Sequence, residues 1–156
     1  MSANSRKVSP LAWVPTLYFA MGLPFIIVNM VATLMFRRLC IDDARITLWT
    51  SLIILPWSLK PFWSPLMEMF RTKKFWVVTT QLVSGLGLAL VAMSLPFPNF
   101  FPYVIALMTV VAFSGATHDI ATDGVYITEL SKDLQAKFIG WQGAFYNIAK
   151  VFAMGG

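Results

Sequence analysis

The sequence predicts an all-α membrane protein: an N-terminal half-bundle of about five transmembrane helices. Three observations predict it. Hydrophobic residues make up 58% of the 156 positions and charged residues only 12%. The apolar residues fall into long runs separated by short polar or charged segments. The basic residues collect in those separators, which is where they set membrane topology. A soluble domain of this length would need far more polar surface. The net charge of +5 does not point to nucleic acid, because its carriers lie between the apolar runs. The one cysteine, Cys40, excludes an internal disulfide and a multi-cysteine metal site. No Gly-x-x-x-x-Gly-Lys-Ser/Thr loop occurs, so ATP phosphates have no P-loop cradle here. No cofactor is expected.

Residues 1–10 are polar and basic, with Arg6 and Lys7. The run 11–36 is too long for a signal-peptide core and reads as an uncleaved first span. Gly22-Leu23-Pro24 interrupts it near mid-membrane and predicts a bend there, because proline removes a backbone donor. Asn29 follows as a residue that either packs or faces solute. A charged connector, Arg37 to Arg45, leads to the second span, 46–69. Pro56, Pro61 and Pro65 predict that its inner half is bent or locally unwound. Lys60 lies about 12 Å from that inner end, within reach of the interface or of a buried acid.

Arg71-Thr72-Lys73-Lys74 form a tight basic turn. In the third span, 75–95, the small residues Gly85, Gly87 and Ala89 predict close helix packing. Pro96 to Phe100 form an uncharged turn. The fourth span, 101–128, is long enough to tilt or protrude. An amphipathic connector, 129–137, carries Lys132 and Lys137, and a fifth span, 138–156, follows. Lys and Arg number seven in segments 1–10, 71–74 and 129–137, against three in the two connectors on the opposite side. That bias predicts a cytoplasmic N-terminus. The chain stops inside an apolar segment, so it reads as the front of a longer protein.

The fourth span carries the chemistry. Asp119 and Asp123 are four residues apart, on one helical face and about 6 Å apart along the axis. Gly115, Thr122 and Tyr126 continue the stripe, and Phe113, Ile120, Val125 and Ile127 are expected on the other face. A carboxylate facing lipid costs about 2.5–3.5 kcal/mol on insertion scales, so the stripe should face protein or a water-filled cavity. It is either a structural polar seam or a site that binds and releases a proton. Lys60 lies at similar depth and is expected to face Asp119 or Asp123. Glu68 sits at a span end. His118 points about 100° away from Asp119, so a metal site built from His118, Asp119 and Asp123 fails on geometry.

The stretch Leu59-Lys60-Pro61-Phe62-Trp63-Ser64-Pro65-Leu66-Met67-Glu68 resembles the Lys-Phe-Leu-Trp-x-Pro-Leu-x-Asp segment of AmpG-type permeases. These are muropeptide transporters of the major facilitator superfamily, with acetyl-coenzyme A transporters as relatives. Ser114 to Asp123 resembles that family's fourth-span Ser-Ala-Thr-Gln-Asp-Ile-x-x-Asp. The basic turn with Gln81, and Gly22-Leu23-Pro24, are similar to further family segments. The chain departs from the superfamily signature at Ser64, Glu68 and Arg71, which stand where Gly, Asp and Gly are usual. His118 stands where Gln is usual.

The resemblance implies a twelve-span secondary transporter of the inner (plasma) membrane, made of two six-span halves with solute bound between them. It implies proton coupling and a polar solute such as a muropeptide or sugar-peptide. The expected partners are that solute, membrane lipids and the remaining half of the same protein. Asp119, Asp123, Lys60, Tyr126 and Asn29 are the candidate coupling or solute-facing residues. Glu68, Arg71, Lys73 and Lys74 form the loop motif, and Gly22, Pro24, Gly85 and Gly115 shape packing and bends. Two alternatives remain. The spacing Gly115-x-x-x-Asp119-x-x-x-Asp123 matches the tail of the CDP-alcohol phosphotransferase signature, but residues 95–112 hold none of the acids that signature needs upstream. A truncated half with only a structural role is the other.

Overall fold

The computed structural model describes residues 9–155. All of its elements are helices: α1 (Pro10–Ile26), a π-helical turn (Ile27–Val31), α2 (Ala32–Arg38), α3 (Asp43–Ile53), α4 (Leu55–Met69), α5 (Lys73–Ser94), α6 (Phe100–Glu129) and α7 (Lys132–Ala153). The polar segment expected over 1–10 lies outside the described residues except for Ser9 and Pro10.

The first rod is continuous from Pro10 to Arg38, 29 residues long. The helix is not interrupted at Gly22-Leu23-Pro24. The helix runs through Pro24 and instead widens into a π-turn three residues later. Asn29 lies within that turn, and its amide donates to the Phe25 carbonyl at 2.7 Å. An extra hydrogen bond there steadies a segment where the backbone ladder is displaced. Gly22 does serve packing: a Cβ at that position would lie 2.9 Å from the Ala149 Cβ and 3.2 Å from the Tyr146 carbonyl oxygen. α1 and α7 therefore run side by side at near-backbone contact, an approach that small residues permit in membrane helices.

The second rod breaks, but not where the prolines suggested. α3 ends at Ile53 and α4 begins at Leu55, with Ile54 between them. Pro56 falls in the first turn of α4, where its missing N–H costs nothing. Pro61 and Pro65 sit inside α4 without ending it. α3 starts cleanly, because the Asp42 carboxylate accepts from the Ala44 and Arg45 amides. The basic turn is tight: α4 ends at Met69 and α5 starts at Lys73, with Thr72 capping the Phe75 amide. Arg71 takes a φ of 66° to make it. The connector expected over 129–137 is shorter, since α7 already begins at Lys132.

α6, 30 residues long, is the central rod. α5 packs along one side of it. The close contact there is Gly87, where a Cβ would lie 2.6 Å from Val111 Cγ2. Gly85, the other predicted packing glycine, points into open space and packs against nothing within 4 Å. The same seam holds a polar link: Ser84 donates to Ser114, and Ser114 donates to the Thr80 carbonyl at 2.8 Å. Val125, placed by sequence on the outer face, is buried with Val77, Met67 and Ala121. Phe113 and Ile127 are exposed, as a lipid-facing side requires.

At one end of the bundle, Phe36, Ile46, Phe101, Val104 and Met108 form one cluster. At the other end, Val14, Tyr18, Tyr126, Leu130 and Phe138 form a second. The start of α1, the α4–α5 turn and the α6–α7 turn thus share one end. Among the described residues, three helices are long and apolar enough to cross a membrane, by length and composition: Pro10–Arg38, Lys73–Ser94 and Phe100–Glu129.

Candidate functional site

The site lies where α1, α4 and α6 meet, about two-thirds of the way along α6. α6 supplies Asp119, which is only 5% exposed. α4 supplies Trp57 and Lys60, three residues apart and so on one helical face. Lys60 Nζ lies 2.7 Å from Asp119 Oδ2. Trp57 Nε1 donates to the same oxygen at 2.9 Å. Both donors converge on one carboxylate oxygen, and a charged acceptor makes such bonds short and strong. The other oxygen, Oδ1, is buried with no hydrogen-bond partner among the described residues. Sequence depth alone left open which acid Lys60 meets; the structure selects Asp119.

Gly115, one turn before Asp119, makes room for this arrangement. A Cβ there would lie 3.0 Å from Trp57 Cζ2 and 3.2 Å from Pro24 Cβ. The indole also stands edge-on to Phe25, with centroids 5.1 Å apart at 84°. Gly115 and Pro24 thus act together, as the seat on which Trp57 rests beside the carboxylate.

Asp123 is in a different setting. It is exposed, and Tyr18 of α1 donates to its Oδ1 at 2.9 Å. It borders an open cleft of about 370 Å³ whose wall also includes Ser64, Glu68, Lys73 and Trp76. Lys73 crosses Gly124 closely, since a Cβ there would lie 2.8 Å from Lys73 Cδ. Its Nζ stands 4.0 Å from Glu68, and Lys74 pairs with Glu129 at 2.8 Å. Arg71 stacks over the Phe75 ring. The four residues of the loop motif are therefore tied to the neighbouring ends of α4, α5 and α6.

Two predicted solute-facing residues have their polar groups occupied internally. The Tyr126 hydroxyl donates to the Gln135 carbonyl at 2.6 Å and the residue is buried, so it joins α6 to α7. Asn29 holds Phe25. The tyrosine that touches an acid is Tyr18, which packs edge-on against Tyr126. Sequence reasoning passed over Tyr18 and Trp57, because an aromatic residue in an apolar run carries no mark of its partner. The i, i+3 spacing of Trp57 and Lys60 was the available signal. His118 is buried, with Nδ1 3.2 Å from the Thr122 hydroxyl.

The BT1 family profile matches residues 21–141, which include Pro24, Phe25, Trp57, Lys60, Gly115, Asp119 and Asp123 but not Tyr18. The chain belongs to the BT1 family. Two curated relatives carry the name "Putative transporter AmpG 4". The protein from Rickettsia conorii is 29% identical over 124 residues, covering 74% of this chain and 29% of the relative. The protein from Rickettsia felis is 29% identical over 123 residues, covering 73% and 29%. The chain thus spans less than a third of the length of these relatives. No solved structure matches the chain.

Proposed function

We propose that this chain is the N-terminal part of a secondary active transporter of the major facilitator type, with Asp119 as its proton-binding group and Lys60 as its switching cation. The observation that carries this reading is the Lys60–Asp119 pair at the junction of three helices, deep within the central rod. Charge in such a place is costly and marks a transport path by default. The name printed for two relatives supports a transporter of the AmpG kind, and the solute we propose is a muropeptide or sugar-peptide.

The chemistry follows from the pair. When Asp119 takes a proton, its carboxyl loses the charge that holds Lys60. The Lys60 side chain is 28% exposed, so its ammonium can then turn to an anionic group of the solute, such as a peptide carboxylate. Release of the solute returns Lys60 to Asp119 and expels the proton. Asp123, held by Tyr18 near the cleft, lies on the route between that pair and the inner end of the bundle. In this reading the end bearing the basic turn and the α6–α7 turn faces the cytoplasm, following the Lys and Arg bias. The membrane is the inner (plasma) membrane. The rest of the same protein supplies the second wall of the solute path.

The test uses the complete protein in sealed vesicles. Asp119→Asn keeps size and hydrogen bonding but cannot exchange a proton. It should insert normally and lose uptake driven by a pH gradient, while solute exchange without a gradient persists. Full gradient-driven uptake by the Asp119→Asn, Asp123→Asn double variant would return both acids to a structural role.

A further inference from the structure

The break between α3 and α4 and the indole of Trp57 lie three residues apart, and the transport reading above uses neither. α4 is joined to α3 through Ile54 alone. Pro56 has no N–H to give, so one rung of the ladder across this joint is absent. The Trp57 amide donates to the Ile54 carbonyl at 3.1 Å, a tight three-residue turn rather than a full helical one. The Ile54 amide still donates to the Thr50 carbonyl at 3.2 Å, so the joint keeps part of its backbone ladder and side-chain contacts add to what directs α4.

Trp57 supplies those contacts to two other helices at once. Its ring fills the space over Gly115 of α6 and meets Phe25 of α1. Its N–H reaches the oxygen that also receives Lys60. Phe25 is the residue whose carbonyl Asn29 holds, at the border of the π-turn. The indole thus stands between two irregular backbone segments, the π-turn and the α3–α4 joint, and its one polar atom is on Asp119.

We propose that Trp57 is a positioning residue that ties the charge on Asp119 to the direction of α4 about the Ile54 joint. While Asp119 is charged, it holds Trp57 and Lys60 together and fixes the first turn of α4. When Asp119 is neutral, both bonds lose their charge assistance, and α4 is released at the joint. The other titratable groups near Asp119 are Lys60 of α4, Tyr18 of α1, Tyr146 of α7, and Asp123 on α6 itself, while His118 turns away to Thr122. None of them occupies the indole's place between the joint and the acid. The proposal deepens the transport reading and rests on it for the role of Asp119.

Hydrogen–deuterium exchange of the complete protein in lipid nanodiscs, without solute or gradient, tests it. The amides to follow are those of Trp57, Ser58, Leu59 and Lys60. Trp57→Phe keeps a ring over Gly115 and beside Phe25 but removes the donor. It should raise exchange at these amides by about tenfold, the loss expected for a hydrogen bond to a charged group. Asp119→Asn should raise it at least as much. Trp57→His, which restores a ring N–H, should bring back at least part of the protection. Wild-type exchange in Trp57→Phe would overturn the proposal, as would equal exchange in the Phe and His variants. Because no uptake is measured, this result is separate from the transport test. Asp119→Asn could transport normally, sinking the proton role, while the exchange data still decide whether Trp57 fixes α4.

Discussion

Lys60→Ala is the most direct probe of the central pair. Asp119 keeps a side chain only 7% exposed, while that of Lys60 is 28% exposed. Removing the ammonium leaves a buried carboxylate with a single donor, Trp57. Breaking a buried pair from one side costs about 3–5 kcal/mol in soluble proteins. The partial exposure of Lys60 and the surviving indole bond place the expected loss below that range, at about 2–3 kcal/mol. Adding Asp119→Asn removes the stranded charge, so the double variant should recover at least about 1 kcal/mol, as expected for residues in contact. Asp123→Asn combined with Lys60→Ala should recover little, because Asp123 is bound to Tyr18 and not to Lys60. The assay is a chemical or thermal unfolding midpoint of the complete protein in a mild detergent, compared across the wild type and these three variants. If Lys60→Ala is no less stable than its double with Asp119→Asn, or if Asp123→Asn rescues equally well, the pairing is wrong.

Three further outcomes are expected. Gly87→Ala should destabilise the α5–α6 seam by about 1–3 kcal/mol through the Val111 clash, and Val111→Ala should relieve it, whereas Gly85→Ala should be silent; the same unfolding midpoint reads all three. Tyr18→Phe should cost about 1 kcal/mol, since the lost hydrogen bond goes to a charged but exposed acid, and combining it with Asp123→Asn should cost little more; additive losses would show that the bond contributes nothing. After Cys40 is removed, Asn99→Cys should react with an impermeant thiol reagent added outside intact cells and Ser131→Cys should not; the reverse pattern would invert the topology.

The fold class was legible because membrane insertion leaves a coarse signal: long apolar runs, with charges between them. The central pair was legible for a related reason. Charges inside spans are few, and matching their depth nearly forces Lys60 towards the fourth helix. Finer features were not legible, because they depend on helix phase and on distant neighbours. Gly85 and Gly87 are two residues apart and lie about 200° apart around the helix, so only the real orientation of α5 shows that Gly87 meets Val111. Tyr126 shares a stripe with Asp119, yet its hydroxyl lies beyond the site, where the start of α7 claims it. Prolines misled in both directions. They mark where a backbone bond is missing, but a membrane helix can continue through them. The first rod passes Pro24 and the second passes Pro61 and Pro65, whereas the joint falls just before Pro56, which sits in the opening turn of α4.

That distribution of weak points bears on how the site could work. α6 carries both acids on an unbroken helix of 30 residues, so the spacing of Asp119 and Asp123 is fixed by the regular backbone. The two helices that hold the buried acid or its aromatic neighbour are irregular where they meet it. α1 widens into a π-turn two residues after Phe25 contacts Trp57, and α4 begins at a joint three residues before Trp57. A site meant only to stabilise the bundle would gain from regular helices on all three sides. Here the charge sits on the regular rod and the soft backbone sits on the partners, the arrangement in which a change of charge at Asp119 can be answered by movement of α1 and α4 while α6 keeps its register. Stiffening the joint, for instance by Pro56→Ala, which restores the missing N–H, should therefore slow gradient-driven uptake by the complete protein without loosening the Lys60–Asp119 pair. An unchanged uptake rate in that variant would show that the joint does not take part.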